Sequence, residues 1–170
     1  SIGYASSKDG VNFDERLPHP VYLPHEVLES YQRATPSLVE EKYVSGGGIA
    51  GCEDPRATLI GDRVYMTYVA FDGSSPPRLA LTSIGLNDFL SKRWKWEKPV
   101  LISPPGIVDK SGVIFPEKIQ GSYVIMHRIF PNILIDYVPD LNFNGSRWLR
   151  TQQTICIRDN MWDSRKIGAG

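Results

Sequence analysis

Residues 51–71 read GCEDPRATLIGDRVYMTYVAF. Two acids, a proline and an arginine stand before two alternating apolar runs that Gly61-Asp62 separates. A Gly-Asp pair between alternating runs is a hairpin signal. Residues 118–130, KIQGSYVIMHRIF, repeat the arrangement with Gln120-Gly121 at the turn, about 59 residues further on. A second element alternates with this one. SIGYASSKDGVNF (1–13), LALTSIGLNDF (79–89) and ILIDYVPDLNF (133–143) share a small apolar strand, a polar turn and a terminal aromatic. Tryptophans follow two of these copies, at Trp94 and Trp96 and again at Trp148, where a fourth, outer strand would begin.

Helical periodicity is nearly absent, and period-two alternation bounded by Gly, Asp, Asn and Pro recurs from end to end, so the chain reads as all-β. A four-stranded unit returning every roughly 50 to 60 residues is the pattern of a β-propeller blade, because one small sheet buries both faces only when neighbours stack on it. About three such units fit in this chain. An immunoglobulin-like or jelly-roll sandwich needs no repeat and would make these similarities accidental.

With 170 residues, 41% hydrophobic and 22% charged, the chain can build a packed core. Nineteen basic and nineteen acidic residues cancel, which removes the broad positive field that nucleic acid or an anionic membrane usually needs. Cys52 and Cys156 form no metal-ligand spacing with each other or with His19, His25 and His127. Neither a metal site nor a disulfide framework is therefore expected, and a reducing, cytoplasmic setting is. No apolar run approaches the roughly 20 residues of a membrane helix. The opening SIGYASSKDG carries no initiator methionine or signal-peptide pattern and starts inside a strand. The expectation is a fragment, incomplete at both ends, spanning 1–170 as part of one catalytic domain.

In a propeller the turns entering the innermost strands converge on one mouth, which makes EDPR (53–56) a candidate ligand site. Pro55 is expected to push Asp54 toward an extended conformation and so aim its carboxylate. The equivalent place in the next unit is read as FPEK (115–118). Glu53, Asp54 and Arg56 read equally well as a salted turn. His127 and Arg128 add cations or mark an exposed strand end, and Asp163, Arg165 and Lys166 carry the same ambiguity. Gly46-Gly47-Gly48 lacks the Lys-Ser or Lys-Thr of a phosphate loop. The tryptophans read as packing, whereas His25, Tyr31 and Tyr43, in the long segment between Val21 and Gly51, are better placed for ligand contact.

GCEDPRATLIGDRVYMTYVAF, VIFPEKIQGSYVIMHR and WDSRKIGAG, in this order, resemble the core motifs of glycoside hydrolase family 130. The resemblance implies a five-bladed β-propeller. It also implies inverting phosphorolysis of β-mannosides by inorganic phosphate to mannose 1-phosphate, with β-mannoside hydrolysis or a non-catalytic carbohydrate-binding propeller as alternatives. Asp54 matches the family's single acid, which protonates the leaving glycosidic oxygen through a hydroxyl of the mannosyl ring. Glu53, Arg56, Asp109, Lys110 and Asp163 are then substrate-binding candidates, and Lys118, His127 and Arg128 phosphate-binding ones.

The implied partners are a β-mannoside oligosaccharide and phosphate, with no further cofactor and no metal. A homo-oligomer is compatible with the full-length protein. One acid beside a basic cluster suits a phosphorylase, since phosphate is already nucleophilic and needs cations to hold it. A hydrolase needs a second carboxylate, with Asp109 and Asp163 as candidates, roughly 6.5–9.5 Å from the first. Where the family often has Arg-Asn before its VLFPEK-like segment, this chain has Asp109-Lys110-Ser111-Gly112. Either Lys110 substitutes, or the phosphate site is altered.

Overall fold

The computed structural model describes residues 1–24, 26–30 and 50–169. His25, Tyr31, Tyr43 and Gly46-Gly47-Gly48 lie outside the described residues. Strands β1 (Ala5–Ser6) and β2 (Glu15–Arg16) form a two-stranded antiparallel sheet. A first four-stranded sheet follows in chain order: β3 (Gly51–Ile60), β4 (Arg63–Phe71), β5 (Arg78–Gly85) and β6 (Val100–Leu101). A second four-stranded sheet repeats the order with β7 (Lys110–Ile114), β8 (Tyr123–Ile129), β9 (Asn132–Val138) and β10 (Gln153–Ile155). A single helix, α1 (Leu86–Leu90), and a 3₁₀ turn (Val27–Glu29) complete the described elements.

Both expected turns are present. Gly61 has φ +61° and closes β3 onto β4, with Ile60 opposite Arg63. Gln120 and Gly121 have φ of 50° and 80° and close a bridge between Ile119 and Ser122. Positive φ at both central residues suits the twist of a hairpin. The second hairpin's incoming strand nevertheless ends at Ile114, before Lys118. Pro116 cannot donate to a ladder, so residues 115–122 leave the sheet.

Of the three expected repeats, two are four-stranded sheets and the first is the two-stranded one. The outer strands begin at Val100 and Gln153, beyond the tryptophans. Trp96 Nε1 donates to the Val21 carbonyl at 2.9 Å, and Trp94 packs on Tyr4 and Phe89 with ring centroids 5.4 and 5.6 Å apart. These side chains fasten the N-terminal segment to the first four-stranded sheet.

Two apolar layers flank that sheet. On one face Val69, Leu79 and Leu81 meet Ile114 and Ile125 of the second sheet, with Ile102, Leu141, Phe143 and Leu149 closing the layer. On the other, Met66, Tyr68, Ala70 and Ala80 meet Ile2 and Tyr22. Burial on both faces explains why β4, RVYMTYVAF, is nearly continuously apolar. Each fully buried Leu, Ile or Val contributes about 1.5–3 kcal/mol. A two-layer sandwich would leave each sheet one wet face and would interleave strands between sheets. Here each sheet takes four consecutive strands, and the first is covered on both sides. The described residues are thus stacked antiparallel sheets, without a closed ring.

Two side chains stitch the sheets together: Thr58 Oγ1 donates to the Ile114 carbonyl at 2.9 Å and Thr67 Oγ1 to the Gly112 carbonyl at 2.6 Å. Gly112 suits this approach, because a Cβ there would stand 2.7 Å from Cδ1 of the fully buried Leu79 and would force that side chain to shift. In the full-length protein Gly112→Ala is expected to lower stability by about 1–3 kcal/mol in urea unfolding, as overpacked cores do. In a Leu79→Val background the same substitution should cost less, and additive costs would show that the contact does not limit the approach.

Candidate active site

The EDPR segment lies inside β3, not ahead of it. Glu53 pairs with Val69 and Arg56 with Thr67, so Asp54 and Pro55 together face only Tyr68. The extra residue is a β-bulge, a device that bends a strand and re-aims a side chain. Asp54 has φ 50°, in the left-handed region that Asp tolerates better than most residues. The expectation that Pro55 holds it extended is corrected here: at the bulge Asp54 takes the left-handed conformation that the first residue of a G1-type bulge adopts. Asp54 is exposed and Arg56 half-buried. Among the described residues no ion pair joins Arg56 to Asp54.

The second sheet carries the same bulge. Lys110 pairs with Arg128 and Val113 with Met126, leaving Ser111 and Gly112 opposite His127, and Ser111 has φ 55°. Lys110-Ser111-Gly112-Val113 is therefore the counterpart of EDPR, and FPEK is not. FPEK lies in the β7–β8 loop, where Lys118 Nζ sits 4.4 Å over the Tyr123 ring. Tyr123 begins β8 and Arg128 lies at its other end, which separates Lys118 from the bulge. The phosphate role expected for Lys118 is not supported by this placement.

At the bulges the structure gathers charge. Burial lowers the Lys110 pKa; Glu53 and Asp54 oppose that shift, and Arg128 and Lys166 add to it. These five groups share one electrostatic neighbourhood. The C-terminal segment approaches it too, since Ile167 donates its N–H to the Pro131 carbonyl at 3.1 Å and a Cβ on Gly168 would lie 3.2 Å from Arg128 Nη1. Neither of two clefts elsewhere, of about 250 and 390 Å³, includes Asp54.

His127 and Asp109 are fully buried, which corrects both the exposed strand end and their direct phosphate and substrate roles. His127 Nδ1 donates to Asp109 at 2.8 Å and Nε2 to Asp136 at 3.0 Å. With both carboxylates ionised they can only accept, and the ring then carries two N–H groups and a positive charge. Burial alone would lower the imidazole pKa, but the hydrogen bonds and charges of the two carboxylates outweigh it and raise it to about 9. Burial raises Asp109 against the pull of His127. Asp136 is held below the usual carboxylate range despite its burial, because it also accepts the Arg150 and Thr151 N–H groups.

Asp163 is buried and accepts from Arg158 Nε at 2.9 Å. Neither Asp109 nor Asp163 is left as a loose second carboxylate. Sequence reasoning passed over Asp136, although a charge inside the apolar run ILIDYV was a signal. It also passed over the buried cluster beneath the first bulge. There Tyr68 donates to Glu29, which also accepts from Tyr22 at 3.0 Å and from the Cys52 thiol at 3.5 Å. Glu29 lies 39 positions from Tyr68, and no local pattern links them.

A family profile described as beta-1,4-mannooligosaccharide phosphorylase matches residues 1–170. The chain belongs to glycoside hydrolase family 130. It is 33% identical over 168 residues to the beta-1,2-mannobiose phosphorylase of Thermoanaerobacter sp. (strain X514), covering 99% of this chain and 46% of that protein. It is 27% identical over 171 residues to the beta-1,4-mannooligosaccharide phosphorylase of Ruminococcus albus, covering 96% and 43%. The chain thus spans about half the length of these curated relatives. A solved GH130 structure, from work on glycoside hydrolases that target beta-1,2 mannosidic linkages in Candida mannan, matches with TM-score 0.62 at 24% identity, covering 96% of this chain and 45% of that one. A putative glycoside hydrolase from Bacteroides ovatus ATCC 8483 matches with TM-score 0.58 at 21% identity, covering 88% and 43%. These two likenesses concern the fold.

The buried triad makes stability depend on pH in the family 130 chain. His127 binds its proton more tightly in the folded chain, at about 9, than an ordinary imidazole does at 6.5. Its contribution is complete below about pH 6.5 and is lost as pH rises through about 9. Over that window stability should fall with a slope approaching about 1.4 kcal/mol per pH unit. Urea midpoints measured from pH 6 to 10 should show the fall in the full-length protein and lose it in His127→Asn. An equal slope in both would assign it to other groups.

Proposed function

We propose that this chain is part of a five-bladed β-propeller that cleaves β-mannosides by inverting phosphorolysis, releasing mannose 1-phosphate. The observation that carries the reading is the bulge neighbourhood. One exposed acid, Asp54, stands among Lys110, Arg128 and Lys166, while both candidates for a second carboxylate are held by other side chains. A hydrolase must activate water with a base. A phosphorylase needs cations around an anion that is already nucleophilic. The related proteins named as phosphorylases of mannobiose and mannooligosaccharides point to the same substrate class.

In this reading Asp54 delivers a proton, through a mannosyl hydroxyl, to the glycosidic oxygen as the bond from that oxygen to the anomeric carbon breaks. A phosphate oxygen forms the new bond to that carbon from the opposite face, which inverts its configuration. Lys110 and Arg128, Cα partners across β7 and β8, hold the phosphate, so Lys110 takes the place of the arginine usual in the family. Glu53 and Arg56 line the sugar side. Inorganic phosphate is the co-substrate, and no group of residues suited to a metal occurs among the described residues. Cys52 and Cys156 are both free thiols, in keeping with a cytoplasmic enzyme.

Asp54→Asn in the full-length protein keeps shape and hydrogen bonding but removes the proton. Turnover should fall by about 10²- to 10⁴-fold, the usual worth of positioned acid catalysis, with the unfolding midpoint retained. The assay is phosphate-dependent release of mannose 1-phosphate from a panel of β-mannosides. Near-normal turnover by Asp54→Asn would remove the assignment and favour a carbohydrate-binding propeller. Lys110→Ala should raise the half-saturating phosphate concentration more than that of the mannoside, since a cation that holds the nucleophile touches the sugar little.

A further inference from the structure

We propose that His127, clamped between Asp109 and Asp136, is a positioning residue that fixes the two phosphate-holding cations Lys110 and Arg128. The inference rests on the phosphorolytic reading above and adds a residue that touches neither substrate.

The argument begins with strand alternation. Successive side chains of a strand point to opposite faces. Asp109 and His127 turn inward and are fully buried, whereas Lys110 and Arg128, the residues that follow each of them, pair on the other face of the sheet. A displacement of the buried pair therefore moves the backbone that carries both cations. Asp109 is itself anchored, since its N–H donates to the Pro77 carbonyl at 3.0 Å and its carboxylate accepts the Arg128 N–H.

The bulge supplies the need for such a clamp. Between Lys110 and Val113 the ladder register slips by one residue opposite His127, so the pairing that holds Lys110 against Arg128 is interrupted immediately beyond the two cations. The 2.8 Å bond from His127 ties the residue opposite the slip to Asp109, the residue just before Lys110. The 3.0 Å bond to Asp136 ties the same ring to β9, and through the Arg150 and Thr151 N–H groups to the segment that leads to β10.

The same place in the first sheet makes the same provision: Tyr68, opposite the Asp54 bulge, is buried and donates to buried Glu29. An apolar pair would cover either spot with less desolvation. What the polar anchors add is direction, and they occur behind the acid and behind the cations.

The test uses the full-length protein, inorganic phosphate and a mannoside substrate. His127→Gln should weaken phosphate binding measured by titration calorimetry by about 10- to 100-fold, the usual cost of losing an orienting partner behind an ion site. The half-saturating mannoside concentration should move by less than about threefold. Asp136→Asn, which keeps the ring and removes one counter-charge, should show the same split in weaker form. It should also move the pH above which phosphate binding weakens to a lower value. Other charges face this region: Arg78 from β5 acts on Asp109, and Glu53, Asp54 and Lys166 act on Lys110. They are common to wild type and variant, so the difference between the two profiles reports the triad.

Equal losses for phosphate and mannoside, or unchanged phosphate binding in a folded His127→Gln, would overturn the proposal while leaving phosphorolysis standing. If neither variant folds, the triad is structural and the proposal falls. Failure of the wild-type protein to bind phosphate would overturn the functional reading and this inference together.

Discussion

One extra residue in the first strand of each four-stranded sheet is the constraint on which the site depends. Both strands must bulge at the same level, and the bulge puts Asp54 at φ 50° in one sheet and Ser111 at φ 55° in the other. Regular strands would continue the pleat and send alternate side chains into the apolar layers on either face. The bulge breaks that alternation for one residue, and the acid comes out to solvent. The contact of Thr67 with the Gly112 carbonyl, at 2.6 Å, then joins one bulged region to the other. The two bulged regions are therefore joined by one inter-sheet approach, which the absence of a side chain at Gly112 eases.

The electrostatic design separates two kinds of charge. The exposed group, Asp54, and the half-buried Lys110 and Arg128 have their charges turned to the surface neighbourhood. The buried ones, Asp109, His127 and Asp136, are paired and hydrogen-bonded among themselves, which is the condition under which buried charge is tolerated. This division distinguishes groups that a list of titratable residues leaves alike. A histidine with both nitrogens committed cannot reach a ligand, and a carboxylate that anchors it cannot serve as a base.

The chain covers about half the length of its curated relatives, yet the described residues already contain two complete sheets and their shared bulge level. Stacking explains this. Each four-stranded sheet is a meander of neighbours in sequence, and its contacts reach only the layer before and the layer after. The segment around Lys166 and Gly168 packs near Arg128.

Much of the architecture was legible in the amino-acid order, because hairpins and alternation are local. Gly61-Asp62 and Gln120-Gly121 fixed two turns, the recurring strand-turn-aromatic stretches announced repeated sheets, and GCEDPR pointed to Asp54. Pairing register is not local. Whether Asp54 precedes a strand or bulges from one depends on which residue of β4 stands opposite, and the order of residues in β3 does not state it. The same limit made FPEK look like the partner of EDPR, since both have proline beside charge, when register assigns that place to Lys110-Ser111-Gly112-Val113. His127 passed for a surface cation because burial is decided by what packs above a strand, here the first sheet with Asp109 and Asp136. The sequence by itself determined the strands, turns and residue types of the site. The tertiary structure decided which charges face outward and which are locked inside, because register and layer contacts join residues that no short stretch of chain connects.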